Sequence, residues 1–182
     1  MIKFHQIAIQ VAGAPDDFAW RAARILSEEI ALRSGQAAEV SAHIPENAFG
    51  FLIGTEAEIV KAFPEQAKAL SALPAPGPEG FRLLCQGDKI VVAGADGRGC
   101  LYGMAHALRK MALKPGFAAL TDELTDVSLT PSYPLRGHQL AYRDKQNTCP
   151  CWNTADFDRY IRDLALFGTN AVEILPPRTD DR

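Results

Sequence analysis

The segment from Pro134 to Arg182 constrains this chain more than any other, because its apolar pattern changes from strand to helix to strand in one short stretch. Pro134-Leu135-Arg136-Gly137-His138-Gln139-Leu140-Ala141-Tyr142-Arg143 opens on a proline, which suits the first position of a strand, and closes on polar residues that suit a loop. After the loop from Asp144 to Asn153, Thr154 is a helix N-cap candidate, with Asp156 and Asp158 in the first turn where the helix dipole favours negative charge. Phe157, Ile161, Leu164, Ala165 and Gly168 recur at helical spacing and give that helix one apolar face. Gly168 and Asn170 stop it, and Ala171-Val172-Glu173-Ile174-Leu175 has strand length before Pro176-Pro177 breaks the run.

Strand, crossover helix and strand predict a parallel, right-handed βαβ unit. Such a unit alone leaves two strand edges without partners, so a homodimer through those edges is expected wherever the rest of the protein does not cover them. Repeated βα units close into (β/α)₈ barrels, whose chemistry sits on loops from all eight units. One and a half units therefore predict a truncated start of such a barrel and no catalytic residue of its own.

With 182 residues, 47% of them hydrophobic, the chain has material for one well-buried domain plus a fragment, or for two small domains. A net charge of −3 provides no basic field, which argues against nucleic acid or an anionic membrane as partner. No apolar run approaches the roughly 20 residues of a membrane helix. MIKFHQIAIQVAG lacks the basic start, long apolar stretch and small-residue cleavage site of a signal peptide, and the localisation stays open. The four cysteines, Cys85, Cys100, Cys149 and Cys151, are too few and too scattered for a disulfide framework. Cys149-Pro-Cys151 lacks both the two-residue spacing and the second ligand pair of a metal or redox site, so these read as free loop thiols, with no metal and no cofactor expected.

The earlier part of the chain predicts a separate α/β layer. Phe4 to Val11 reads as a strand, and Pro15-Asp16-Asp17 opens a helix carrying Phe18, Ala22, Ile25, Leu26 and Ile30 that closes at Gly35. Ala38 to Ile44 and Phe49 to Ile53 are two more strands. Thr55 caps a second helix with Glu56 and Glu58 in its first turn, which Pro64 should kink or split. Gly80 to Cys85 and Lys89 to Ala93 form a hairpin turned at Gln86-Gly87-Asp88, and the helix after it carries Leu101, Met104, Ala105, Leu108 and Met111 on its buried face. The expected fold class is α/β (α+β), a two-layer domain of helices packed on a mixed sheet. The expected organisation is a domain over 1–115, a linker over 116–133 that contributes an edge strand around Thr125 to Leu129, and the βαβ unit over 134–182.

Ile90-Val91-Val92-Ala93-Gly94-Ala95-Asp96-Gly97-Arg98-Gly99 has the setting of a dinucleotide-binding loop, a strand running through a glycine-rich turn into a helix. The spacing fails, because Tyr102 stands three residues after Gly99 where a third glycine belongs. Asp96 would also oppose a pyrophosphate, so the preferred reading makes Asp96 a helix cap and the glycines a turn. The sequence has no zinc-binding H-E-x-x-H helix, no G-x-S-x-G elbow and no phosphate loop, and His5, His43 and His106 stand far apart as structural or surface residues.

A barrel's site lies at the C-terminal ends of its strands, which selects Tyr142, Arg143, Asp144 and Lys145 after the first strand and Arg178, Asp180 and Asp181 after the second. A mixed-charge rim with an aromatic suits sugars, whose hydroxyls need donors and acceptors and whose CH faces stack on rings. Arg136 and His138 alternate on the first strand and are placed facing into the barrel, where a buried arginine needs a paired partner. The substrate-binding candidates are thus Arg136, His138, Tyr142, Arg143 and Arg178. Asp180 and Asp181 are adjacent and would splay apart, so they do not form a glycosidase carboxyl pair.

The stretch GFRLLCQGDKIVVAGADGRGCLYGMAHALRKM, Gly80 to Met111, resembles the non-catalytic N-terminal domain that precedes the barrel in family 20 hexosaminidases and family 67 α-glucuronidases. PLRGHQLAYRDK followed by DFDRYIRDLALFGTNAVEILPP looks like the start of that barrel. The resemblance implies that Arg136, as the arginine of the Arg-Gly pair on the first barrel strand, holds hydroxyls of a sugar. It also implies that the catalytic carboxyl groups come from later strands. The hexosaminidase strand usually runs into an Asp and an Arg-His pair, where this sequence has Gln139-Leu140-Ala141-Tyr142-Arg143, so a hydrolase of the same architecture acting on another sugar is expected. The alternatives are a free-standing binding or assembly module and, from another class, a small doubly wound nucleotide-binding protein.

Overall fold

Uninterrupted apolar runs such as Phe51-Leu52-Ile53 and Ile90-Val91-Val92 suit strands buried on both faces. The computed structural model, which describes residues 2–4, 6–15, 17–140 and 152–174, places both runs at the middle of a mixed sheet. The chain divides into two units, Met1–Pro131 and Ser132–Arg182.

In the first unit the elements run β1 (Ile2–Lys3), β2 (Ile7–Ala12), α1 (Phe18–Ser34), β3 (Ala38–Ser41), β4 (Phe49–Thr55), α2 (Glu56–Ala62), α3 (Gln66–Ser71), β5 (Phe81–Gln86), β6 (Lys89–Gly94), α4 (Gly97–Arg109), β7 (Met111–Lys114), β8 (Phe117–Leu120) and β9 (Val127–Leu129). The main sheet has the order β3-β2-β4-β6-β5-β9, parallel from β3 to β6 and antiparallel across β5 and β9. Leu52, Leu84 and Val91 on one face cluster with Ile59 of α2 and Leu70 of α3. On the other face Val92 lies against α4 at Gly103, so helices cover both faces of the sheet and a third layer joins the two expected.

Local chemistry accounts for the element boundaries. Gly35 takes a left-handed φ of 70° and closes α1 by donating its N–H to the Ala31 carbonyl at 2.8 Å. Thr55 and Glu58 form a reciprocal capping box at the start of α2. Pro64 splits the second helix as expected, since it has no N–H to continue the ladder. Gly87, at φ 63°, permits the tight turn between β5 and β6. Arg82, 5% exposed, is held by the Pro74 carbonyl and the Glu56 carboxylate, which leaves its charge paired inside the fold.

Two expectations are corrected here. Met111 opens β7 and does not belong to α4, which ends at Arg109. The stretch after 115 is not simply a linker: β7 and β8 form a hairpin turned by Gly116 at φ 72°, β8 pairs with β1, and Ala118, Ala119, Leu120 and Leu124 are buried. β9 lies at the sheet edge where an edge strand was expected, paired with β5.

His106 on α4 sits 5.6 Å from the Phe81 ring, and partial burial, with Arg109 and Lys110 nearby, lowers its pKa. A depressed histidine stays neutral in the folded state while the unfolded chain takes up a proton near pH 6.5, so its contribution is intact above about pH 6.5 and is lost as pH falls below it. His106→Gln is expected to flatten the decline in urea midpoint between neutral and mildly acidic pH. Parallel declines in the two proteins would show that His106 does not contribute to it.

In the second unit β10 (Gly137–Leu140), α5 (Thr154–Leu166) and β11 (Ala171–Ile174) form a strand-helix-strand unit. The two strands are parallel, in register Gly137↔Ala171 to Leu140↔Ile174. The cap of α5 is Asn153, one residue before the expected Thr154; its side chain accepts from the Asp156 N–H and Asp156 bonds back. Gly168, at φ 94°, ends the helix region.

Candidate functional site

Ligands of parallel sheets bind outside the carboxyl ends of the strands, and each unit has such an end. In the first unit, Asp17 just before α1, Phe18 and Ala19 from α1, Thr55 and Glu58 around α2, and Gly97 from α4 line a cavity of about 210 Å³. Three helices begin there, but the chain's own carboxylates occupy the setting. Glu58 accepts from the Thr55 N–H at 2.9 Å, Asp96 accepts from the Gly99 and Glu79 N–H groups at 2.8 Å each, and Asp17 accepts from the Ala14 N–H at 3.1 Å. This arrangement repels a phosphate, as the Asp96 reading anticipates. Cys100 nearby is buried, and that burial pushes its thiol up to about 12, which removes it as a nucleophile at neutral pH. Among the described residues no group of His, Cys, Asp and Glu is assembled to hold a metal ion, and no helix is long and apolar enough to cross a membrane.

In the second unit the placement of two candidates differs from the expectation. Arg136 precedes β10, and its Nε donates to the Gly168 carbonyl at 2.6 Å while Nη1 donates to the Tyr133 carbonyl at 2.7 Å. Its backbone N–H donates to Asn170 Oδ1 at 2.9 Å, and Asn170 returns its N–H to the Arg136 carbonyl. Arg136 and Asn170 thus tie together the starts of both parallel strands, the end opposite to that where a cleft forms. His138 shares a hydrogen bond of 3.2 Å with the Tyr160 hydroxyl of α5. It therefore faces the helix, as does Leu140 two residues on, which is 2% exposed.

The face turned away from α5 carries a pair that the sequence reading did not select. Gln139 and Glu173 are register partners, both exposed, and Gln139 Nε2 donates to Glu173 Oε2 at 2.8 Å. The signal was available in the alternation, because apolar Leu140 marks the helix-covered face and places Gln139 on the other. Tyr142, Arg143 and Arg178 lie outside the described residues, as do Asp144, Lys145, Asp180, Asp181, His5 and Cys149-Pro-Cys151.

No family model matches this sequence, and no curated protein matches it. Solved structures do. A family 115 4-O-methyl-α-glucuronidase with specificity for decorated arabinogalactans superposes with a TM-score of 0.67 at 16% identity, over 95% of this chain and 25% of that one. The family 20 β-N-acetylhexosaminidase of Streptomyces coelicolor A3(2) gives 0.61 at 16% identity, over 95% of this chain and 31% of that one. The family 84 protein CpGH84B gives 0.60 at 18% identity, over 95% and 26%. Of these three families only family 20 is reached from the sequence, together with family 67; families 115 and 84 are not. The chain spans under a third of each of these proteins, and its mixed α/β fold is that of a segment found in glycoside hydrolases of families 115, 20 and 84.

Proposed function

We propose that this chain is the N-terminal, non-catalytic portion of a carbohydrate-active glycoside hydrolase, in which the first unit is an accessory domain and the second begins a (β/α)₈ barrel. The observation that carries this reading is coverage. Enzymes from several glycoside hydrolase families match 93% to 96% of this chain, a share that reaches past the first unit into the second. In most glycoside hydrolase families a pair of carboxyl groups performs the hydrolysis of an O-glycosyl bond, and the reading assigns the catalytic carboxyl groups to later strands of the whole protein. Tyr142, Arg143 and Arg178 follow the two strands at the carboxyl end and are proposed to contact the sugar. Arg136 is reassigned to the scaffold.

A second reading, a binding or assembly module that dimerises through its strand edges, is favoured by one feature: β10 and β11 pair only with each other among the described residues. The test is to follow the reading frame beyond codon 182, express the whole protein and this chain, and assay both on a panel of 4-nitrophenyl glycosides. The expected result is cleavage of at least one glycoside by the whole protein and none by the chain alone. A stop directly after Arg182, together with a dimer by light scattering, would sink the hydrolase reading in favour of the module.

A further inference from the structure

We infer that Gln139 and Glu173 form a hydroxyl-reading pair inside the barrel mouth, gripping two neighbouring hydroxyls of the bound sugar. The inference rests on the barrel reading above and adds a binding role within it. In a closed barrel the helices cover the outer face of the strands, so the face of β10 and β11 turned away from α5 becomes the interior. The hydrogen bond between His138 and Tyr160 fixes which face α5 covers, and the alternation of strand residues then directs Gln139 and Glu173 inward. Both stand one residue before the last of their strands, at the carboxyl end where barrel ligands bind.

The chemistry of the pair suits a diol. Carboxylate oxygens only accept, and Glu173 uses one of its acceptor positions on Gln139. The rest of that carboxylate accepts from sugar hydroxyls, while the second N–H and the oxygen of Gln139 donate to and accept from the neighbouring one. A carboxylate inside a barrel with no such partner would be strongly penalised by desolvation, whereas one at the mouth over a polar ligand is compensated. A carboxylate that accepts from a hydroxyl also makes the stronger, charge-assisted kind of hydrogen bond.

The test uses the whole protein and whichever 4-nitrophenyl glycoside of the panel the wild type cleaves. Glu173→Ala should raise KM about 10- to 100-fold, the range expected when a charged hydrogen bond is lost, with kcat much less affected. Gln139→Ala should raise KM less, and Glu173→Gln should fall between wild type and Glu173→Ala. The decisive readout is a deoxy analogue of the same glycoside. Removing the correct hydroxyl should weaken binding to the wild type and leave Glu173→Ala indifferent, a coupling that a merely structural residue does not produce. An unchanged KM in Glu173→Ala, or equal losses with every deoxy analogue in both proteins, overturns the inference while the hydrolase reading stands. A wild type that cleaves nothing overturns the hydrolase reading itself, before any variant is measured.

Discussion

Gly99→Ala should abolish cooperative folding of the first unit. A Cβ built on Gly99 would lie 2.1 Å from the Gly80 carbonyl oxygen and 3.1 Å from Gly94 Cα, and both obstacles are backbone. Neither can swing aside. The Gly80 carbonyl accepts the Ala95 N–H at 2.9 Å, and Gly80 is itself wedged against the Leu129 and Gly77 carbonyls. Relief would require α4 to lift off the β5–β6 hairpin, exposing Cys100, Met104, Ala105 and Leu108, which are all buried. Overpacking a core with side chains costs about 1–3 kcal/mol, and a backbone collision at this distance should exceed that. Since a whole domain has only about 5–15 kcal/mol of stability, the expected outcome is insoluble protein or a flat urea curve followed by circular dichroism. Gly87→Ala is the control. Gly87 has φ 63° and open space around its Cβ position, so only the cost of a left-handed backbone is added, about 1–2 kcal/mol. A Gly99→Ala protein with the wild-type midpoint would show that the helix does not need this close approach.

The same glycines show what was legible in the sequence and what was not. Asp96-Gly97-Arg98-Gly99 invites a phosphate reading, and spacing alone rejects it. The structure supplies the physical reason for the glycines: Gly94 leaves room for the Cys100 backbone, Gly97 for Phe18, Gly99 for Gly80 and Gly103 for Val92 and Phe81. The pattern marks a helix packed tightly on a hairpin, so it identifies the fold and says little about chemistry. Caps and turns at Thr55, Pro64, Gly87 and Gly35 were readable because each acts within a few residues of itself. The β7–β8 hairpin was not readable, because its strands are four residues long and β8 is completed by β1 from the far end of the unit, Ile2↔Leu120. Around β10 the placement departs from the expected inward alternation in its phase. Arg136 precedes the strand, His138 shares the helix face with Leu140, and the polar pair of the open face stands on the residues between.

Residues 1–131 alone should fold with a single cooperative transition, and residues 132–182 alone should not. The first unit has helices on both faces of its main sheet, and the sheet's edges are the short strands β3 and β9, of four and three residues. Short edges limit runaway pairing with other chains. Among the described residues, only Leu140 and Leu166 of the second unit are buried hydrophobics. A two-stranded sheet under one helix buries too little to offset about 1–2 kcal/mol of backbone entropy for each residue ordered. The fragment 1–131 should therefore give a sigmoidal urea curve by circular dichroism, and 132–182 a spectrum of unfolded chain without a transition. An unfolded 1–131 would mean that the first unit is not an independent domain. A folded, dimeric 132–182 would mean that its open edges are satisfied by a second copy, and the assembly reading would then replace the hydrolase one. If 132–182 instead gains structure only when the following βα units are joined to it, its edges were made for further strands of the same protein, as the barrel requires.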